Sequence, residues 1–142
     1  MTAVDASIVG LRKADALATE RGVTITSIQA NLSDYKIELN RWSGITAFFC
    51  HLPQPLRKKV HNACVDGLVP GGVMVLEAFA PEQLKYDTGG PKVPELLMSF
   101  DDLKVEFSGL DFVVAQQVIR ERREGIFHAG KAAVVQIFAK KA

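Results

Sequence analysis

Apolar and polar positions alternate along this chain in two rhythms that exchange places several times. Thr2 to Asp5 reads as a short buried strand that ends in a carboxylate, and Ser7 stands where it can cap a following helix. From Ile8, apolar Leu11, Ala14, Leu17 and Ala18 recur at helical spacing until Arg21-Gly22 closes the helix. VTITSIQA (residues 23–30) is β-branched and alternates over most of its length, which predicts a strand; NLSDYKIEL reads as a loop. GITAFFCHL (44–52) is apolar on both faces, as an interior parallel strand should be. Pro53 and Pro55 open a second helix, with Leu56, Val60, Ala63, Cys64 and Leu68 expected inward. VPGG (69–72) is expected to stop it before the buried strand VMVLEAFA (73–80).

The pattern then changes. Residues 81–98 hold three prolines and a Gly-Gly pair, so much of the stretch is irregular and long enough to be a lid. Ser99 caps a short helix, and residues 112–121 and 131–139 form the strands of a closing hairpin across REGIFHAGK. Repeated strand–helix units with buried strands predict an α/β fold: a Rossmann-like, mostly parallel sheet flanked by helices with an antiparallel C-terminal hairpin. No internal boundary is visible, so 1–142 is expected to be a single domain.

Composition narrows the function classes. Hydrophobic residues make up 48% and charged residues 23%, and the net charge is +1, which argues against a polyanion-binding surface and so against nucleic acid as a partner. The clusters Arg57-Lys58-Lys59 and Arg120–Arg123 have no interleaved aromatic residues and read as solvated faces. No apolar run approaches a membrane span and no basic-then-apolar leader is present, so a cytoplasmic protein with reduced thiols is expected. Cys50, His51, His61, Cys64 and His128 lack zinc-ligand spacing, and no metal site is expected. Cys64 reads as a small core residue and Trp42 as packing.

TAVDAS, QANLSDY, FFCHLP with the LRKKVHNA helix, LVPGGVMVLEAFAPEQL, DTGGP and LLMSFDDL together resemble a class I S-adenosylmethionine (SAM)-dependent methyltransferase, closest to the small bacterial group related to tellurite-resistance methyltransferases. The resemblance spans nearly all of the chain. It implies that Asp5 bonds the ribose hydroxyls of SAM, that Ala6 lies beside the adenine, and that Leu32 offers its backbone N–H to the ring. Asn31 stands where relatives carry Asp for the adenine amino group; its carbonyl oxygen can still accept, without the charge. Cys50, His51 and Leu52 match the segment lining the methyl-donor and acceptor site. Tyr86, Gly89, Gly90 and Lys92 occupy the middle of the segment that closes over the acceptor. His51 is the candidate general base, its alternative being a strand-end residue satisfied by a backbone carbonyl. Asp5 has its own alternative, a carboxylate answering the helix dipole.

One element of the family is missing from the 142 residues: the first strand and its E/D-x-G-x-G-x-G turn, which cradle the methionine part of SAM. The chain therefore reads as an N-terminally truncated form of that fold. Its SAM binding is expected to be weak or lost, and its activity on a small-molecule acceptor weak or absent. The alternative is a non-catalytic α/β remnant acting as a binding or interaction module. Loss of the strand predicts that TAVD pairs directly with GITAFF in the order 2-1-3-4-6-5. The apolar surface around TAVD and the first helix predicts a homodimer.

Overall fold

The computed structural model describes residues 1–123 and 129–142. The chain divides into two compact units, Met1–Lys36 and Ile37–Ala142.

In the first unit, β1 (Thr2–Asp5) and β2 (Thr26–Gln29) form a parallel pair in register from Thr2 opposite Thr26 to Asp5 opposite Gln29. The helix between them, α1 (Ile8–Glu20), starts where the sequence indicates: Ser7 Oγ accepts the Gly10 N–H at 3.1 Å, and Asp5 Oδ1 accepts the Ser7 N–H at 2.7 Å. Leu11 and Ala18 are its buried residues; Leu17, expected inward, is 51% exposed. Only four residues of the expected β2 are strand, so it covers less of the helix than an eight-residue strand would.

The second unit is a four-stranded mixed sheet in the order β3-β4-β6-β5, made of β3 (Trp42–Phe48), β4 (Leu68–Phe79), β5 (Leu110–Arg123) and β6 (Ala129–Lys141). β3 runs parallel to β4, while β4–β6 and β5–β6 are antiparallel, as the closing hairpin requires. The expected pairing of TAVD with GITAFF is not made: the strands form two sheets, and β1 pairs with β2. The β1–β2 part of the expected order is formed, and the other edge of β1 is not paired with β3.

α2 (Gln54–Gly67) connects β3 to β4, and α3 (Phe100–Glu106), capped by Ser99 Oγ on the Asp102 N–H at 3.1 Å, precedes β5. Both pack on one face of the sheet. The core there includes Leu68, Met74, Met98, Leu103, Phe107 and Ile137, with Cys64 buried as expected and Trp42 packed at its margin. VPGG does not lie outside the strand; it forms the beginning of β4, and α2 stops at Gly67. A Cβ at Gly67 would sit 2.6 Å from Ile37 Cγ2 and 3.2 Å from the Glu38 carbonyl, so a larger residue would have to displace its neighbours. Lys141 Nζ donates to the Val65 and Leu68 carbonyls at 2.9 and 2.7 Å, placing a cation at the C-terminus of α2.

The inward face of α2 is the expected one in part: Cys64 and Leu68 are buried and Val60 packs against the core, but Arg57 and His61 are buried there as well. Its buried residues are Arg57, His61, Cys64 and Gly67, one position round from Leu56, Val60 and Ala63, which are only half-buried. The reason is chemical: Glu106 of α3 offers a buried carboxylate that Arg57 and His61 both satisfy.

Candidate functional site at the ends of the parallel strands

β3 stops at Phe48 because Phe49 turns into the left-handed region (φ 51°), its N–H bound to the Glu77 carbonyl at 2.8 Å. Cys50, His51 and Leu52 therefore lie in the connection to α2, not on the strand as the apolar run suggests. The turn brings the His51 ring against Phe79 at the C-terminal end of β4, stacked at 5.5 Å between centroids and 19° between planes. Phe49 packs on Phe79 at 4.8 Å, and the buried Arg122 guanidinium lies over both phenyl rings at 4.5 and 4.8 Å.

Both nitrogens of His51 meet backbone. Nδ1 donates to the Leu96 carbonyl at 2.7 Å, and Nε2 accepts the Phe79 N–H at 3.4 Å, which assigns the neutral Nδ1–H tautomer. Burial holds the ring below its ordinary pKa; the Leu96 carbonyl opposes this and the Arg57 cation adds to it. One contact of His51 is thus the backbone carbonyl foreseen as the alternative to a base.

Behind this cluster lies a buried charge network. Arg57 is 1% exposed; its Nε is 3.0 Å from Glu106 Oε1 and its second terminal nitrogen 2.8 Å from the same oxygen. Its other terminal nitrogen donates to the Leu97 carbonyl at 3.2 Å. Glu106 Oε2 lies 2.6 Å from His61 Nδ1, and the His61 ring stacks on Phe107. Hydrogen bonds from His61 and Arg57 hold Glu106 below the usual carboxylate range, against the effect of its own burial. The expectation of solvated Arg57 is corrected by this pair, since a desolvated guanidinium persists where a carboxylate meets it in forked geometry. The second basic cluster is corrected likewise: Arg122 is buried, and Arg120 is ion-paired with Glu77, whose other oxygen accepts from Gln136.

The 81–98 segment is held down. Two short 3-10 turns, Pro81–Lys85 and Pro94–Leu96, bracket it. Gln83 is buried and donates to Thr88 Oγ1 and the Gly89 carbonyl, while its own carbonyl oxygen accepts the Ala133 N–H at 2.8 Å. Gly89 and Gly90 have φ values of 102° and 87°, and a Cβ on Gly90 would meet the Phe79 ring at 2.8 Å. Lys92 is exposed and pairs with Asp87 at 3.0 Å; Tyr86 is half-buried.

The remaining candidates belong to the first unit. Asp5 ends β1 with its carboxylate exposed, and the Ala6 carbonyl accepts from Gln29 at 3.3 Å. Asn31 Oδ1 accepts the Ser33 N–H at 2.9 Å, and Leu32 is half-buried. Among the described residues no group of three or more His, Cys, Asp or Glu side chains is arranged for a metal ion, and no helix is long and apolar enough to cross a membrane. His128 lies outside the described residues. Sequence reasoning missed Phe79, the Leu96 carbonyl, Gln83 and the Arg57–Glu106 pair. The spacing of Arg57, His61 and Cys64 at i, i+4 and i+7 is the one signal that could have found the last.

No protein-family model matches the chain, and no curated protein does so. Solved structures do. A SAM-dependent methyltransferase from Methanosarcina mazei superposes with a TM-score of 0.73 at 14% identity, over 99% of this chain and 81% of that one. TehB from Haemophilus influenzae gives 0.77 at 13% identity, over 99% of this chain but 49% of its own length. The N-methyltransferase NodS from Bradyrhizobium japonicum gives 0.69 at 12%, over 99% and 73%. The chain thus spans between about half and four fifths of these proteins, and at such identities the likeness speaks for architecture. Its fold is that of the class I SAM-dependent methyltransferases.

Proposed function

We propose that the chain is a methyltransferase-like domain whose ligand is SAM or its demethylated product, with a small-molecule methyl acceptor. The observation that carries this reading is Asp5: an exposed carboxylate at the C-terminal end of a parallel strand, with Oδ1 accepting the Ser7 N–H at 2.7 Å. A carboxylate so placed can accept from two adjacent ribose hydroxyls. Ala6 and Leu32 flank the base in this reading. Asn31 fits less well, since its carbonyl oxygen already serves Ser33. When bound, SAM supplies an electrophilic methyl group on a sulfonium.

In the second unit, the residues assigned by resemblance are Cys50 and Leu52 for the methyl donor, His51 for the acceptor, and the segment carrying Tyr86, Gly89, Gly90 and Lys92 as the acceptor's cover. Methyl transfer to a soft nucleophile needs alignment more than proton removal. A neutral His51 suits that, and it can act as a base only by giving up the Phe79 N–H.

The sequence has no E/D-x-G-x-G-x-G run, so the backbone N–H groups that would sit closest to the ligand are not supplied by these residues, and affinity and activity are weak. Titration calorimetry should give a dissociation constant weaker than the low micromolar range, that is, less favourable than about −8 kcal/mol. Asp5→Ala should abolish the remaining heat. Tight binding would contradict the weak affinity, and an affinity unchanged in the variant would remove Asp5 from the site.

A second reading, a homodimeric binding module without catalysis, is supported by apolar residues exposed in and beside α1: Ile8, Val9, Leu17 and Val23. Light scattering that shows a monomer at high concentration would dismiss it.

A further inference from the structure

We propose that the free edge of β3 is an interface between two copies of this chain, paired antiparallel about a two-fold axis at Thr46. The fold leaves that edge open. β3 lies at one end of the strand order β3-β4-β6-β5 and is paired with β4 alone among the described strands. The Phe49 N–H reaches the Glu77 carbonyl, so the odd-numbered residues of β3 turn their backbone groups towards β4. Successive residues of a strand turn these groups to alternate sides. The N–H and C=O groups of Gly44, Thr46 and Phe48 therefore face outward, and no other described strand pairs with them. All three residues are exposed, Phe48 at 60%.

The two edges of this sheet differ in chemistry. β5, at the far end, carries the exposed charges Asp111, Glu121 and Arg123 and a register shift between Phe112 and Val114, devices that guard an edge against pairing. Trp42 to Phe48 has no charged residue and no proline, the composition of an interior strand. A charged partner strand would lose hydration against this edge and find no counter-charge, whereas an uncharged one loses nothing. The strand that fits is a copy of β3 itself. Pairing about Thr46 sets Thr46 against Thr46 and Gly44 against Phe48, each a pair that exchanges both N–H···O bonds. Opposed residues point to one face, so the exposed Phe48 ring lies over the partner's Gly44, which has no side chain to obstruct it. Ile45 meets the partner's Ala47 on the face that carries the core. Such pairing occupies both β3 edges and leaves the guarded β5 edges outside, so assembly closes at two copies. One short strand from each copy is less than a permanent interface needs, so association depends on concentration. The interface uses none of the α1 residues of the homodimeric reading above.

Sedimentation velocity of the full chain over about a hundredfold range of concentration tests this. The native chain should pass from monomer to dimer without larger species. Thr46→Pro removes an N–H that the ladder to β4 does not use, and it puts proline on the open side of an edge strand, where it is tolerated. That variant should keep the native melting temperature in dilute solution and stay monomeric at every concentration. Leu17→Lys, on α1, should dimerise as the native chain does. A native chain that stays monomeric, a dimer that survives Thr46→Pro, or one that is lost in Leu17→Lys would overturn the interface. Amide hydrogen exchange in the unaltered chain gives a second reading. The Thr46 and Phe48 N–H groups should gain protection several-fold from the dilute to the concentrated sample, while the Ala47 N–H, which faces β4, stays constant. Protection at Thr46 that does not change with concentration would overturn the proposal even if the proline variant failed to fold.

Discussion

Arg57 shows how far a single residue can depart from its neighbours. Lys58 and Lys59 are solvated, whereas Arg57, one step earlier, is enclosed by Glu106, the Leu97 carbonyl and α3. Removing one member of such a pair leaves the other charged and desolvated, so Arg57→Met should destabilise the chain by about 3–5 kcal/mol in urea unfolding. Arg57→Met combined with Glu106→Leu should recover much of that loss. The same chemistry sets an acid limit. Because Glu106 is held below its unfolded value, its contribution is present above that value and lost as pH falls through the carboxylate range. Cys64 sets the opposite limit: burial, with Cys50 adding, pushes its thiol up to about 12. Its stabilising contribution is complete below the ordinary thiol range and is lost as pH rises from there towards about 12. Cys64 should resist iodoacetamide at pH 8 in the native chain and react once unfolded; rapid native alkylation would contradict its burial.

At the scale of elements, the strands and helices are legible because their apolar runs are long and their caps explicit. Ser7 and Ser99 do what an N-cap serine does. The ends are less legible. FFC reads as continuous strand, yet Phe49 leaves it through a left-handed turn fixed by its bond to Glu77 and by aromatic packing from β4. Burial of Arg57 and His61 beside Cys64 on the inward face of α2 is not legible locally, because their partner Glu106 arrives from 45 residues downstream of His61. Among candidate site residues, the sequence could nominate Asp5 and His51 by type and position. It could not disclose that both His51 nitrogens meet backbone. The 81–98 segment was expected to be irregular, and it is; its fastening through Gln83 has no local signature. Gln83→Leu would leave the buried Ala133 N–H without its acceptor and should cost about 1–3 kcal/mol. Gly90→Ala should lower the melting temperature by several degrees, since the added methyl meets the Phe79 ring at a positive φ. An unchanged melting temperature would mean that the segment stands off the sheet.

For the whole molecule, the mixed sheet and its flanking helices agree with methyltransferases that share no more than about one residue in seven with this chain. Architecture at that distance survives because hydrophobic patterning, not residue identity, fixes the layers. Function rests on individual groups, and the central claim rests on the edge of the first unit proposed to bind the nucleoside. The most direct test is to titrate the demethylated product of SAM, at millimolar concentration to offset weak binding, into isotopically labelled protein and follow the backbone amides. The account predicts dose-dependent shifts at Asp5, Ala6, Asn31 and Leu32 that disappear in Asp5→Ala. No shifts at those four positions, or shifts that persist in the variant, would contradict it.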